Sequence, residues 1–144
     1  MKKITVNAYA ALEKGARLEK FNYDIESLDP FEEVIETSHC GICHSDLHLI
    51  DNDWRSSSYP LVAGHEVVGT VKEKGSAVTR LSIGDVVGVG WQGGACLECD
   101  HCVSGQENLC ADSVATAVGQ SGGFADHLKV DGRFAFLNPE GVKR

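Results

Sequence analysis

The sequence predicts a mostly β, barrel-like domain with short helices and one long cysteine-rich loop. Three observations predict it. Glycine is abundant, 16 residues against three prolines, which suits many tight turns. Segments such as "KITVNAYA" and "HEVVGTVKEKG" carry strand-like runs of apolar and β-branched residues. No strand–helix–strand alternation occurs along the chain, so a parallel α/β sheet is not expected. At 144 residues the chain has the length of one ordinary domain, enough to bury a core.

"KITVNAYA" alternates apolar and polar residues and reads as an opening strand. "FEEVIETSHC" follows a turn at Asp29-Pro30 and reads as a second. "CHSDLHLIDN" offers Ser45 and Asp46 as capping candidates and Leu47, Leu49 and Ile50 as apolar positions, which predicts a short helix. "HEVVGTVKEKG" is a strand with a glycine interruption, opened by His65 and Glu66 and ended by a turn at Gly75. "LSIGDVVGVG" turns at Gly84-Asp85 and continues as a β-branched run. The cysteine stretch reads as a loop, and "GGFADHLKV" and "RFAFLNP" as closing strands. There is no internal repeat, low-complexity segment or linker.

Asp and Glu number 21 against 13 for Lys and Arg, a net charge of −8, which argues against nucleic acid or a membrane surface as partner. No apolar run approaches the ~20 residues a membrane helix needs. "MKKITVNAYA" is too brief for a signal-peptide core, so a cytoplasmic protein is expected. In that reducing compartment six cysteines point to metal binding or catalysis rather than disulfides.

Four of them lie in "ACLECDHCVSGQENLC", spaced Cys96-x2-Cys99-x2-Cys102-x7-Cys110. Four thiolates with no vacant position describe a structural tetrahedral zinc site that clamps the loop. Bacterial ferredoxin runs begin with the same spacing, but there the fourth cysteine follows three residues later and precedes proline. Here the gap is seven and Ala111 follows. His101 lies inside the run and reads as a solvated loop residue. A closed site performs no chemistry, so any activity belongs elsewhere.

"HCGICHSDLH" and "AGHEVVG" form the second constellation. A catalytic zinc takes few protein ligands and keeps one position open, and a Cys and a His from separate segments would begin such a set. Spacing alone does not say whether Cys40 or Cys43 is the ligand, and taken alone either reads as a small buried core residue before it reads as a ligand.

"CGICHSDLH", "AGHEVVG", "IGDVVGVG", the four-cysteine loop and "GGFADHLKV" occur in the order found in zinc-dependent medium-chain alcohol dehydrogenases. The chain resembles that family over nearly its whole length, from about Ile4 onward. "DNDWRSSSYPLVAGHEVVG" and "GVGWQGGACLECD" look most like the cinnamyl alcohol dehydrogenase branch, including bacterial aldehyde reductases. The resemblance implies a GroES-like catalytic domain over residues 1–144, working beside a Rossmann domain on primary alcohols and aldehydes. It implies Zn2+ at the four cysteines and at a catalytic site, with NADP or NAD as hydride carrier. Cys43 and His65 fall on the catalytic ligands, Glu66 on the adjacent glutamate that stands beside the metal or ligates it in alternation, and Cys40 on a packing position. Asp46 falls on the carboxylate that orients the ligand histidine.

Zinc would polarise an aldehyde carbonyl or lower the pKa of an alcohol. Ser45 would hydrogen-bond that oxygen and pass its proton to His48, a residue type that titrates near ~6.5. His44 falls on a position facing the cofactor pyrophosphate, and Trp54 and Trp91 on substrate-pocket positions. For Ser45 the bland reading is a helix cap, for His48 a surface residue, and for each tryptophan a core aromatic.

No G-x-G-x-x-G fingerprint is present, and "GVG" at 88–90 is a lone fragment. No cysteine follows Cys110 to supply the family's third catalytic ligand. The chain is therefore expected to be the N-terminal domain of a longer, homodimeric dehydrogenase, inactive alone. The competing expectation is a non-catalytic, zinc-stabilised interaction module.

Overall fold

The computed structural model describes residues 2–139, 141 and 142. The fold is mostly strand, as expected. β1 (Ile4–Ala11) alternates as its sequence suggests, burying Val6, Ala8 and Ala10 and exposing Thr5, Asn7 and Tyr9. It pairs antiparallel with β2 (Leu18–Ile25), a strand missing from the expected order. Phe21, Tyr23 and Ile25 recur there with period two between Lys20, Asn22 and Asp24, a signal that could have found it.

The main sheet is built on β3 (Glu32–Cys40), which pairs antiparallel with β4 (Val67–Lys74) on one side and β8 (His127–Asp131) on the other. β5 (Val86–Val89) and β9 (Ala135–Leu137) complete the order β8-β3-β4-β5-β9. Two register shifts between β3 and β4, an extra Lys72 on β4 opposite Val34–Ile35 and an extra Ser38 on β3 between Thr37 and His39, bend the strands, and the sheet curls into a half-barrel. Ile35 faces Val71 on one neighbour and Leu128 on the other. These pack with Val67, Val87, Val89 and Val130 into one core. Each fully buried side chain of this kind contributes roughly 1.5–3 kcal/mol. Val78 and Leu81, from the β4–β5 connection, close one end of that core. Lys74 Nζ holds the connection by donating to the carbonyls of Val78 and Leu81 at 2.8 and 2.7 Å.

The β1–β2 hairpin covers the sheet through Val6, Ile25 and Val34, and through Ala8, Ala10 and Val62. The short helix α1 (His44–Ile50) forms as expected and buries Leu49 against Leu61 and Ala117. Its N-cap is Cys43, however, not Ser45 or Asp46. Asp46 stands at the third helical position, where its carboxylate accepts the Cys43 N–H.

Other boundaries also differ. β4 starts at Val67, so His65 and Glu66 precede it. "GGFADHLKV" becomes strand only at His127, because the Gly122–Phe124 backbone amides bond the 62–64 segment instead. The cysteine stretch is not a bare loop. It is spanned by β6 (Gln92–Gly94) and β7 (Val114–Ala115), which pair, and it contains α2 (Asp100–Val103) and a 3-10 turn at Glu107–Leu109. Metal-ligand spacing and helical turns coincide there, and composition alone does not show the turns. Among the described residues, no helix is long and apolar enough to cross a membrane.

Glu33 breaks the pattern of the core. It lies on β3 fully buried, and among the described residues neither carboxyl oxygen has a hydrogen-bond partner. Burial pushes its carboxyl up to about 7, with Asp131 and Asp85 adding to the rise and Lys74 and Arg80 opposing it. The folded value stands above the ordinary 4.5, so folding favours the protonated form. The stability this group contributes is full below 4.5, falls as pH rises, and is lost above about 7. Relative to Glu33→Gln, the wild-type chain is expected to lose on the order of 3 kcal/mol of unfolding free energy across that window. Urea denaturation of both proteins at the two ends of the window checks this, and a pH-independent difference contradicts it.

Candidate functional site

The lobe between β6 and β7 gathers the Sγ atoms of Cys96, Cys99, Cys102 and Cys110 within 4.8 Å of one another. Cys96 Sγ lies 3.5 Å from Cys110 Sγ and 3.9 Å from Cys102 Sγ. A tetrahedral zinc with bonds of about 2.3 Å sets sulfur–sulfur edges of about 3.8 Å. The cage therefore fits a single ion, while a multi-iron cluster needs its sulfurs further apart. The Glu98 and Cys99 amides hold the Cys96 thiol down at about 7, and burial pushes Cys102 up to about 12. Four thiolates this close together repel one another, and a bound cation would neutralise that repulsion. His101 is exposed on α2, outside the cage.

The second set is assembled by one carboxylate. Asp46, 2% exposed, accepts the Cys43 N–H at 2.9 Å through Oδ2. Its Oδ1 takes the Gly64 N–H at 3.0 Å and the His65 ring at 3.1 Å. Since a carboxylate only accepts, the proton of His65 sits on Nδ1, and Nε2 keeps its lone pair. Cys43, His65 and Glu66 then present ligand atoms within 4.8 Å of one another. Cys40 is not in this group. It packs against the main core, donates to the Gly41 carbonyl at 3.5 Å, and burial raises its thiol above the usual value. Geometry thus brings Cys43, not Cys40, to His65.

The 61–66 segment is held from both sides. Ala11 and Leu61 exchange backbone hydrogen bonds at 2.8 and 2.9 Å, and Phe124 N donates to Ala63 O at 2.9 Å. Gly64 has φ of +97°, and a Cβ there would come within 2.7 Å of Phe124 Cδ1 and 2.9 Å of Cys40 Sγ. Only glycine fits both the conformation and the space.

Ser45, half-buried, and His48 stand three residues apart on α1, on one helix face. Beyond the helix Asn52 adopts φ of 51°, turning the chain so that Asp53 meets His48 Nδ1 at 2.8 Å. Asp53 was not among the expected site residues; it lies past the helix end, where no periodic signal reaches. By the same tautomer argument His48 Nε2 is left as an acceptor. A chain of rings links these groups: His44 to His48 at 4.8 Å, His48 to Trp54 at 5.1 Å, Trp54 to Trp91 at 5.8 Å, and Trp91 to His65 at 5.0 Å between centroids. Both tryptophans are partly exposed, so they wall an open surface rather than fill the core. A depression of about 470 Å³ lined by Tyr23, Gly119, Ser121 and Lys129 lies elsewhere and holds none of these residues.

The alcohol dehydrogenase GroES-like domain family matches residues 29–140. The aldehyde reductase AdhA of Synechocystis sp. is 47% identical over 137 residues, covering 95% of this chain and 41% of that protein. A cinnamyl alcohol dehydrogenase structure from Sorghum bicolor superposes with a TM-score of 0.89 at 36% identity, over 97% of this chain and 42% of that one. The Helicobacter pylori enzyme solved with NADP(H) gives 0.91 at 27% identity, over 99% and 44%. The chain thus spans about two fifths of the length of these relatives.

Asp46→Ala strands three donors, two of them in a buried setting, and is expected to destabilise the fold by about 3–5 kcal/mol. Asp53→Ala removes an exposed pair and is expected to stay within about 1 kcal/mol. Urea midpoints measure both; equal effects contradict the assignment.

Proposed function

The chain belongs to the alcohol dehydrogenase GroES-like domain family, and we propose that it is the zinc- and substrate-binding domain of an NAD(P)-dependent alcohol dehydrogenase or aldehyde reductase. In this reading residues 1–144 form the catalytic domain, and a nicotinamide-binding domain, beyond these residues in a longer polypeptide, completes the enzyme. The observation that carries it is the convergence of Cys43, His65 and Glu66 beside a buried carboxylate that fixes the histidine tautomer. A purely structural module needs only the four-cysteine lobe. A separate ligand set beside partly exposed tryptophans favours the enzyme.

Cys96, Cys99, Cys102 and Cys110 would hold a structural zinc. Cys43 and His65, with Glu66 or a ligand from outside this chain, would hold the catalytic one. Zinc, when bound, supplies a Lewis acid that polarises the substrate oxygen. The chain's own groups move the proton. Ser45 hydrogen-bonds the substrate oxygen and relays its proton to His48 Nε2, while Asp53 holds the His48 ring from the other side. His44, exposed on the first turn of α1, meets the cofactor pyrophosphate. Trp54 and Trp91 wall the pocket for a primary alcohol or aldehyde. The carrier would be NADP or NAD, since similar structures were solved with NADP(H) and with NADH. The complete enzyme would be a cytoplasmic homodimer joined through its cofactor domain.

Two outcomes are expected. After dialysis the purified chain keeps about one zinc, lost in Cys99→Ser, because the four-thiolate site is closed and the other incomplete; metal analysis showing two tightly held ions contradicts this. The chain alone consumes no NADPH with an aldehyde panel, while in the two-domain enzyme Ser45→Ala lowers kcat/KM by about 10²–10⁴-fold. Turnover by the isolated chain, or an unaffected Ser45→Ala enzyme, counts against the reading.

A further inference from the structure

Gly41 lies between the two cysteines of "CGIC" and makes no claim on left-handed backbone space. Its lack of a side chain has another cause. A Cβ at this position would overlap Glu66 Oε2, and would come within 3.1 Å of Glu66 Cβ and 3.3 Å of its carboxyl carbon. All three of the nearest atoms belong to Glu66. The Gly41 N–H also donates to the Glu66 carbonyl at 2.8 Å, so the backbones at 41 and 66 are tied while the Glu66 side chain runs across the bare Cα. The carboxylate that runs there is the one within 4.8 Å of the Cys43 and His65 ligand atoms.

We propose that Gly41 is a positioning residue for a metal ligand: the space above its Cα is the slot in which the Glu66 carboxylate stands beside Cys43 and His65. A methyl group at 41 acts through Glu66 because it meets Glu66 first. The carboxylate is the far end of a flexible side chain, so it swings aside at little expense to the fold and leaves the ligand set. Gly64 offers the contrast, since a Cβ there strikes the Phe124 backbone and threatens the fold itself. The inference rests on Cys43 and His65 holding a metal, as proposed above.

Cobalt(II) titration tests it, in chain whose four-cysteine site is already filled with zinc. Absorption from the cobalt–thiolate bond to Cys43 reports binding, and Cys43→Ser gives the blank. Gly41→Ala is expected to weaken cobalt binding about tenfold or more and to alter the band, as Glu66→Ala does. In a Glu66→Gly background, which removes the Cβ at 3.1 Å as well as the carboxylate, Gly41→Ala is expected to add nothing to the loss of cobalt binding, and the urea midpoint of Gly41→Ala alone should stay near that of wild type. An equal loss in both backgrounds, or cobalt binding by Gly41→Ala that matches wild type, overturns the role of Gly41 while leaving the metal site standing. A wild-type chain that gives no cobalt–thiolate band overturns the site, and the inference with it.

Discussion

The site depends on one buried carboxylate. Asp46 reaches from α1 to the 61–66 segment and satisfies Cys43 N, Gly64 N and His65 Nδ1 at once. A buried carboxylate with too few partners is strongly unfavourable, so its three donors and its two segments are locked in register together. That lock explains why a short helix of seven residues, too short to stand alone in water, is a reliable support here. It also explains the histidine. Holding the proton on Nδ1 leaves Nε2 with its lone pair, an acceptor rather than a donor.

The two cysteine-bearing sites then differ in kind. The lobe between β6 and β7 draws four sulfurs into a closed cage with its own short turns, and its contribution is to order a loop of few apolar anchors. The other set has three dissimilar donors and a partly exposed neighbourhood of aromatic rings. A closed cage suits stability, and an incomplete set suits an exchangeable ligand. Both are carried by connections and short helical turns anchored to the curled sheet.

The strands with clear apolar patterning were legible in the sequence, and so was the four-cysteine cage, because its spacing is a local property. Cys43 could be told from Cys40 only through the family resemblance, since both are small and sulfur-bearing. The difference lies in tertiary placement, Cys40 facing the sheet core and Cys43 capping α1. Asp53 and Gly41 escaped the sequence for a like reason. One acts across a left-handed turn at Asn52 and the other through empty space beside Glu66. β2 was missed although the alternation of Phe21, Tyr23 and Ile25 with Asn22 and Asp24 was there to see.

On the proposed function this domain would carry two chemically distinct metal sites, one all-sulfur and one mixed. Zinc K-edge absorption on the chain, loaded first with one and then with two equivalents, tests it most directly. The first equivalent is expected to give a sulfur-only shell at about 2.3 Å. The second is expected to add a light-atom shell at about 2.0–2.1 Å, absent in His65→Ala. A second equivalent that leaves the shell purely sulfur, or that binds identically in His65→Ala, would contradict it.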